Sequence, residues 1–154
     1  MLSAEKVARL RAAGLEVHSM PLTGSSVRLP LFVSPVRAGQ PATAEDDRSE
    51  DIPLGDWLVP CPERSFLVRV QGDSMTDFGI LEGDVLVVEQ GSRPKMGDML
   101  IAQIHGSYTV KQLGRHEGKP ALLAGNAAYA PIVIVPGETR VAGVVRSVVR
   151  RYVR

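Results

Sequence analysis

The stretch DMLIAQIHGSYTVKQL, residues 98–113, decides the fold class. Two runs rich in aliphatic and β-branched residues, DMLIAQIHG (98–106) and SYTVKQL (107–113), meet at His105, Gly106 and Ser107. A glycine with polar neighbours between two such runs predicts a hairpin of two antiparallel strands. The same pattern extends in both directions. FLVRV (66–70) alternates, and DVLVVEQ (84–90), PALLAG (120–125), IVIV (132–135) and VAGVVRSVVR (141–150) are further strand candidates. Turns are expected at Gly83–Asp84, Gly97–Asp98, Gly118–Lys119 and Pro136–Gly137. Valine dominates 141–150 and argues against a helix there. A series of short strands with no long helix between them predicts a mostly β, antiparallel domain.

The N-terminal third reads differently. SAEKVARLRAA (3–13) can form a short helix, with Ser3 as N-cap and Gly14 as stop. Residues 18–30 contain Pro21, Gly24, Ser25, Ser26 and Pro30 and are expected to be irregular or weakly extended. Residues 31–51 hold Pro35, Gly39 and Pro41 and then the acidic run EDDRSED (45–51). Residues 1–50 are therefore read as an extended, partly helical arm, and residues 51–154 as the β domain. An arm of this composition cannot bury a core of its own.

Composition narrows the function classes. The 154-residue chain is 44% hydrophobic and only 5% aromatic, so its core must be built from Val, Leu, Ile and Ala. The formal charge is +1, with basic residues at both ends, including Arg146, Arg150, Arg151 and Arg154. These ends read as solvated surface, and neither zinc-finger spacing nor aromatic–basic interleaving points to nucleic acid. A single cysteine, Cys61, excludes an intrachain disulfide, and no supporting constellation makes it a nucleophile. No secretory leader or membrane-length apolar run is present, so a reducing cytoplasm is the expected location. No metal-binding or cofactor pattern is expected.

The candidate chemistry starts at Gly72-Asp73-Ser74-Met75. A glycine before a serine at the end of a strand lets backbone N–H groups turn towards one point, as an oxyanion site requires. The pattern is not the G-x-S-x-G nucleophile elbow. A serine needs a base. His18, His105 and His116 lie in the arm, at a turn and in a polar loop, and a Ser-His-Asp triad assembled in three dimensions stays open on spacing alone. Lys111, inside YTVKQL, is a better base. Apolar neighbours strip its ammonium of water and lower its pKa, so that a neutral amine can take a serine proton. Ser92-Arg93-Pro94-Lys95 also fits an S-x-x-K spacing, but Pro94 and the flanking Gly91 and Gly97 make it a turn.

Four blocks in this order resemble the self-cleaving serine proteases of the bacterial DNA-damage response, the LexA/UmuD group (peptidase family S24), and most nearly its UmuD branch. They are PLFVSPVRAGQP (30–41), FLVRVQGDSMTDFGILEGDVLVVEQ (66–90), KMGDMLIAQIHGSYTVKQL (95–113) and LLAGNAAYAPIVI (122–134), the last similar to the family's Asn-x-x-Tyr-x-Pro segment. The resemblance implies a small, twisted, antiparallel β-barrel-like fold shared with LexA and signal peptidases. It implies Ser74 as nucleophile, Lys111 as general base, the backbone N–H groups of Asp73 and Ser74 as oxyanion donors, and a cut between Ala38 and Gly39. It also implies a homodimer, cleavage stimulated by the RecA filament on single-stranded DNA, and a trimmed product serving a UmuC-like Y-family polymerase in translesion synthesis. The repressor members' helix-turn-helix domain has no counterpart here. The competing readings are a regulatory autoprotease without a polymerase, and a β-domain interaction module controlling a repressor.

Overall fold

The computed structural model describes residues 8, 17–18, 27–32, 38–39 and 48–152. Eight strands form one antiparallel sheet: β1 (Val17–His18), β4 (Ser65–Arg69), β5 (Val85–Glu89), β6 (Met99–Ile104), β7 (Ser107–His116), β8 (Lys119–Leu123), β9 (Ile132–Val133) and β10 (Thr139–Val149). Their order is β1-β4-β5-β10-β6-β7-β8-β9. The ladder runs open from β1 to β9 among the described residues, and its pairings do not close a barrel. The long C-terminal strand β10 inserts between β5 and β6, which ties the two halves of the sheet together.

Two hairpins set the register around β7. Ile104 pairs with Ser107 across His105 (φ 47) and Gly106 (φ 85), and His116 pairs with Lys119 across Glu117 (φ 49) and Gly118 (φ 77). Positive φ at both central residues is the geometry of a type I′ turn, whose twist matches that of the strands it joins. The second hairpin carries β7 through to His116, so the segment read from sequence as a polar loop is strand. Its polar residues fit because the end of β7 faces solvent while its backbone pairs with β8.

Side chains alternate between two apolar clusters, one on each face of the sheet. Phe66 and Val68 of β4, Leu86 and Val88 of β5 and Ile101 of β6 form the first, together with Val70, Met75 and Ile80. Leu100, Ala102, Leu122 and Val144 form the second. Burial of β6 on both faces explains why MLIA is continuously apolar, whereas β4 alternates, with Arg69 exposed.

Within the region read as the arm, β2 (Arg28–Phe32) pairs with β3 (Ser49–Pro53) as a separate two-stranded ribbon; the sequence suggests irregular or weakly extended chain over 18–30 and does not suggest this pairing. The ribbon spans the division expected after residue 50 and leads into α1 (Leu54–Leu58). β1 adds to the edge of β4, with Val17 opposite Val68. The helix expected over 3–13 lies outside the described residues apart from Ala8, which is helical. No helix among the described residues is long and apolar enough to cross a membrane.

The basic C-terminal strand is not a purely solvated surface. Arg150 grips Asp84 with two 2.6 Å contacts and also donates to the Gly79 carbonyl. Arg146 and Arg64 converge on Glu89 at 2.6 and 2.8 Å. Asp84 is 1% exposed and Glu89 is also buried, so each needs its guanidinium partners to remain charged. Arg146 and Arg150 are exposed, as the sequence suggests, but each also holds a buried carboxylate 57 or 66 residues away in the chain, a pairing with no local trace.

The Arg150 hydrogen bonds hold the Asp84 carboxyl below its ordinary range, and the Ser92 hydroxyl and Arg146 do the same for Glu89. A depressed folded-state pKa gives stability that is present above the unfolded value, about 4, and is lost as pH falls through the folded value. Urea unfolding should therefore show a declining midpoint below about pH 4. Asp84→Asn should flatten that decline and cost about 2 kcal/mol at neutral pH. This is less than for a fully dry pair, since Arg150 is 31% exposed.

Candidate active site

The segment after β4 leaves the sheet at Val70 and returns at Gly83, closed by hydrogen bonds from Val70 N to Asp84 O and from Gly83 N to Val70 O. Met75 and Ile80 sink into the first cluster and anchor this excursion. Gly72 has φ 86, a conformation that side-chain-bearing residues rarely adopt, and it turns the chain immediately before Asp73 and Ser74. A 3-10 turn, Thr76–Phe78, follows. The amides of Asp73 and Ser74 donate to no backbone carbonyl among the described residues.

A second loop, after β8, locks the first in place. Gly125 N donates to the Ser74 carbonyl at 2.8 Å, and Asp77 N donates back to the Gly125 carbonyl at 2.7 Å. Asn126 Nδ2 reaches the Asp73 carbonyl at 3.1 Å, and the Tyr129 hydroxyl donates to Asp73 Oδ1 at 2.6 Å. Gly125 packs closely under Phe78: a Cβ there would lie 2.5 Å from the ring, which would have to shift.

Lys111 is delivered by β7. It pairs with Leu100 in the ladder, so its side chain shares the sheet face that carries Leu100, Ala102 and Leu122. The residue is 5% exposed. Its Nζ lies 2.8 Å from Ser74 Oγ and 3.0 Å from the Val110 carbonyl, with the Tyr129 ring centroid 5.7 Å away. Burial among apolar side chains pushes the Lys111 amine below the ordinary lysine range. Two cavities flank Ser74: one of about 190 Å³ between the β4 exit and Tyr108–Val110, the other of about 420 Å³ lined by Gly72, Lys111, Tyr129, Ile104 and Ile132.

The other candidates lie elsewhere. His105 is an exposed hairpin residue 3.5 Å from Glu138, His116 ends β7 and His18 is in β1, while the side-chain partner of Ser74 is Lys111. Ser92 bonds Glu89 and Arg146 and braces the sheet, and Lys95 N caps on Asp98 in a turn. The Cys61 thiol accepts from Arg64 at 3.2 Å. Ala38 and Gly39 are exposed. No group of metal-binding side chains occurs among the described residues. The Gly125–Tyr129 segment matched a family pattern in the sequence, but its hold on the nucleophile loop was not readable, because its partners lie about fifty residues earlier.

A family model described as Peptidase S24-like matches residues 30–146. Protein SamA of Salmonella typhimurium is 36% identical over 122 residues, covering 79% of this chain and 85% of SamA. Protein ImpA of Escherichia coli is 34% identical over 122 residues, covering 79% and 83%. The LexA repressor of Carboxydothermus hydrogenoformans is 34% identical over 139 residues, covering 89% of this chain but 62% of the repressor. The matches divide between SamA and ImpA proteins on one side and LexA repressors on the other. They establish the family and leave the branch within it undecided.

Proposed function

The chain belongs to the S24-like peptidases, and from that premise we propose that this protease cuts its own arm between Ala38 and Gly39, with Ser74 as nucleophile and Lys111 as base. The observation that carries the proposal is the 2.8 Å contact between Ser74 Oγ and the Nζ of Lys111, a buried residue. A neutral amine at that distance accepts the hydroxyl proton as Oγ attacks the Ala38 carbonyl carbon. The Asp73 and Ser74 amides receive the oxyanion. The tetrahedral intermediate collapses, Lys111 gives its proton to the Gly39 nitrogen, and residues 39–154 leave as a new N-terminus. Water, deprotonated by the same amine, then hydrolyses the Ala38 ester and restores Ser74.

The arm, residues 1–50, carries its own substrate bond, so the reaction with the catalytic unit, residues 51–154, needs no bimolecular encounter. The exposed Ala38–Gly39 segment has small side chains that let an extended backbone approach Ser74 closely. Docking of the arm then limits the rate, and a RecA filament on single-stranded DNA is the partner that would favour the docked state. Trimming removes Lys6, Arg9, Arg11, Arg28 and Arg37 against only Glu5 and Glu16, which leaves an acidic product. That charge favours a protein partner over DNA. The reading that fits best is a cytoplasmic homodimer that matures into the accessory subunit of a UmuC-like Y-family polymerase during the SOS response. The likeness to LexA repressors supports a second reading, a regulatory autoprotease without a polymerase.

Purified protein incubated alone at alkaline pH, and with activated RecA filaments near neutral pH, should release a fragment that mass spectrometry finds to begin at Gly39. Ser74→Ala should release none. A cut at another bond, or one that survives Ser74→Ala, sinks the assignment. Capture of a Y-family polymerase by the 39–154 product, but not by the full chain, separates the first reading from the second.

A further inference from the structure

Lys111 must be uncharged to act, yet an acidic side chain stands in sequence directly before its partner serine. Asp73 and Lys111 line the same 420 Å³ cavity. Of the residues that line it, drawn from the loop after β4, from β6 and β7, from the loop after β8 and from β9, Asp73 and Tyr129 are the other titratable groups. A carboxylate free to swing across this space would pair with the ammonium and favour its charged form. It is not free to do so. Asp73 Oδ1 accepts from the Tyr129 hydroxyl at 2.6 Å, and the Asp73 carbonyl is held by Asn126 Nδ2 at 3.1 Å. Asn126 Oδ1 is itself fixed by the Ala128 amide at 2.9 Å. The Asp73 bond pushes the Tyr129 phenol above its ordinary range, which keeps the donated proton in place. For Lys111, burial lowers the pKa of the amine.

We propose that Tyr129 is a positioning residue whose hydroxyl holds the Asp73 carboxylate away from Lys111. The inference rests on Lys111 being the base, and it extends that role to the residue that protects it. Its ring covers the amine at 5.7 Å while its hydroxyl restrains the acid, so one side chain performs two separable tasks. Tyr129→Phe keeps the ring and removes only the restraint.

The test is the pH profile of self-cleavage for wild type, Tyr129→Phe, Asp73→Asn and the double variant. In Tyr129→Phe the midpoint of the rise with pH should move upward by about 0.5 to 1 unit, a limited shift because the Asp73 carboxylate is exposed to screening solvent. The rate should fall several-fold below the midpoint and converge on wild type at high pH. Adding Asp73→Asn to Tyr129→Phe should restore the wild-type midpoint, with Asp73→Asn alone as the reference for any change in plateau rate, since the Asp73 amide is an oxyanion donor. A Tyr129→Phe rate lowered equally at every pH, or a shift that persists in the double variant, overturns the proposal. Lys111→Ala is the control: if it still cleaves, the base assignment falls and this inference with it. If it is inactive but the Tyr129→Phe midpoint is unmoved, this inference alone fails.

Discussion

Replacing Lys111 with methionine is expected to slow self-cleavage by at least about 10⁴-fold and, in the same protein, to stabilise the fold at neutral pH. The two effects share one cause. The amine sits on an apolar sheet face beside Leu100 and Leu122, and its lowered pKa reflects burial alone. A charge forced out of water costs the folded state free energy that the unfolded chain does not lose. The folded state therefore binds fewer protons than the unfolded state between the lowered folded value and about 10.4, the unfolded one. Stability of the wild type must rise with pH across that window. Methionine has a similar apolar stem and no charge, so the variant lacks this rise, and its advantage should shrink as pH climbs. Urea midpoints for both proteins between pH 7 and 10, measured in a Ser74→Ala background to keep the chain intact, check the claim. A methionine variant less stable at every pH would mean that Lys111 is a structural residue.

Gly143→Ala should be among the most damaging single-methyl changes in the domain, at about 3 kcal/mol. Gly143 lies where β10 shifts register against β6. A Cβ there would lie 2.6 Å from Val88 Cγ1 and 2.8 Å from the Glu89 carbonyl oxygen. The second contact is backbone in the neighbouring strand, which cannot rotate aside, so β10 must move off β5. That movement would strain the Arg146 contact with Glu89, which joins the same two strands beside the register shift between Val145 and Ser147. Gly114→Ala is the internal control. Its added Cβ would meet only the Leu123 side chain, which can change rotamer on a partly exposed strand. Thermal or urea unfolding should therefore rank Gly143→Ala well below Gly114→Ala. Equal losses would show that the close approach of β10 to β5 is slack.

The sequence was readable where physics is local. Strands β4 to β8 and β10 follow from runs whose side chains are buried on one or both faces, and the hairpin at His105–Gly106 follows from the turn chemistry of those two residues. The β2–β3 ribbon was missed because Pro30 and Pro53 and the acidic residues argue against strands, and such residues are tolerated where a two-stranded ribbon is all edge. Helix α1 is five residues long, too short for a helical period to show. At the site, Ser74 and Lys111 were singled out by residue type and by family resemblance, because no periodicity links positions thirty-seven apart. The clasp of Tyr129 and Asn126 on Asp73, and of Arg150 on Asp84, left no local trace. Such contacts come from topology: β10 crosses between β5 and β6, and the loop after β8 folds over the nucleophile segment.

The account depends on an amine kept neutral by its surroundings, and direct titration of that amine tests it. In Ser74→Ala protein labelled at lysine Cε, the NMR resonance of Lys111 should titrate clearly below the ordinary lysine value of about 10.4. A Lys111 resonance that titrates at the ordinary lysine value, or above it, would contradict the account.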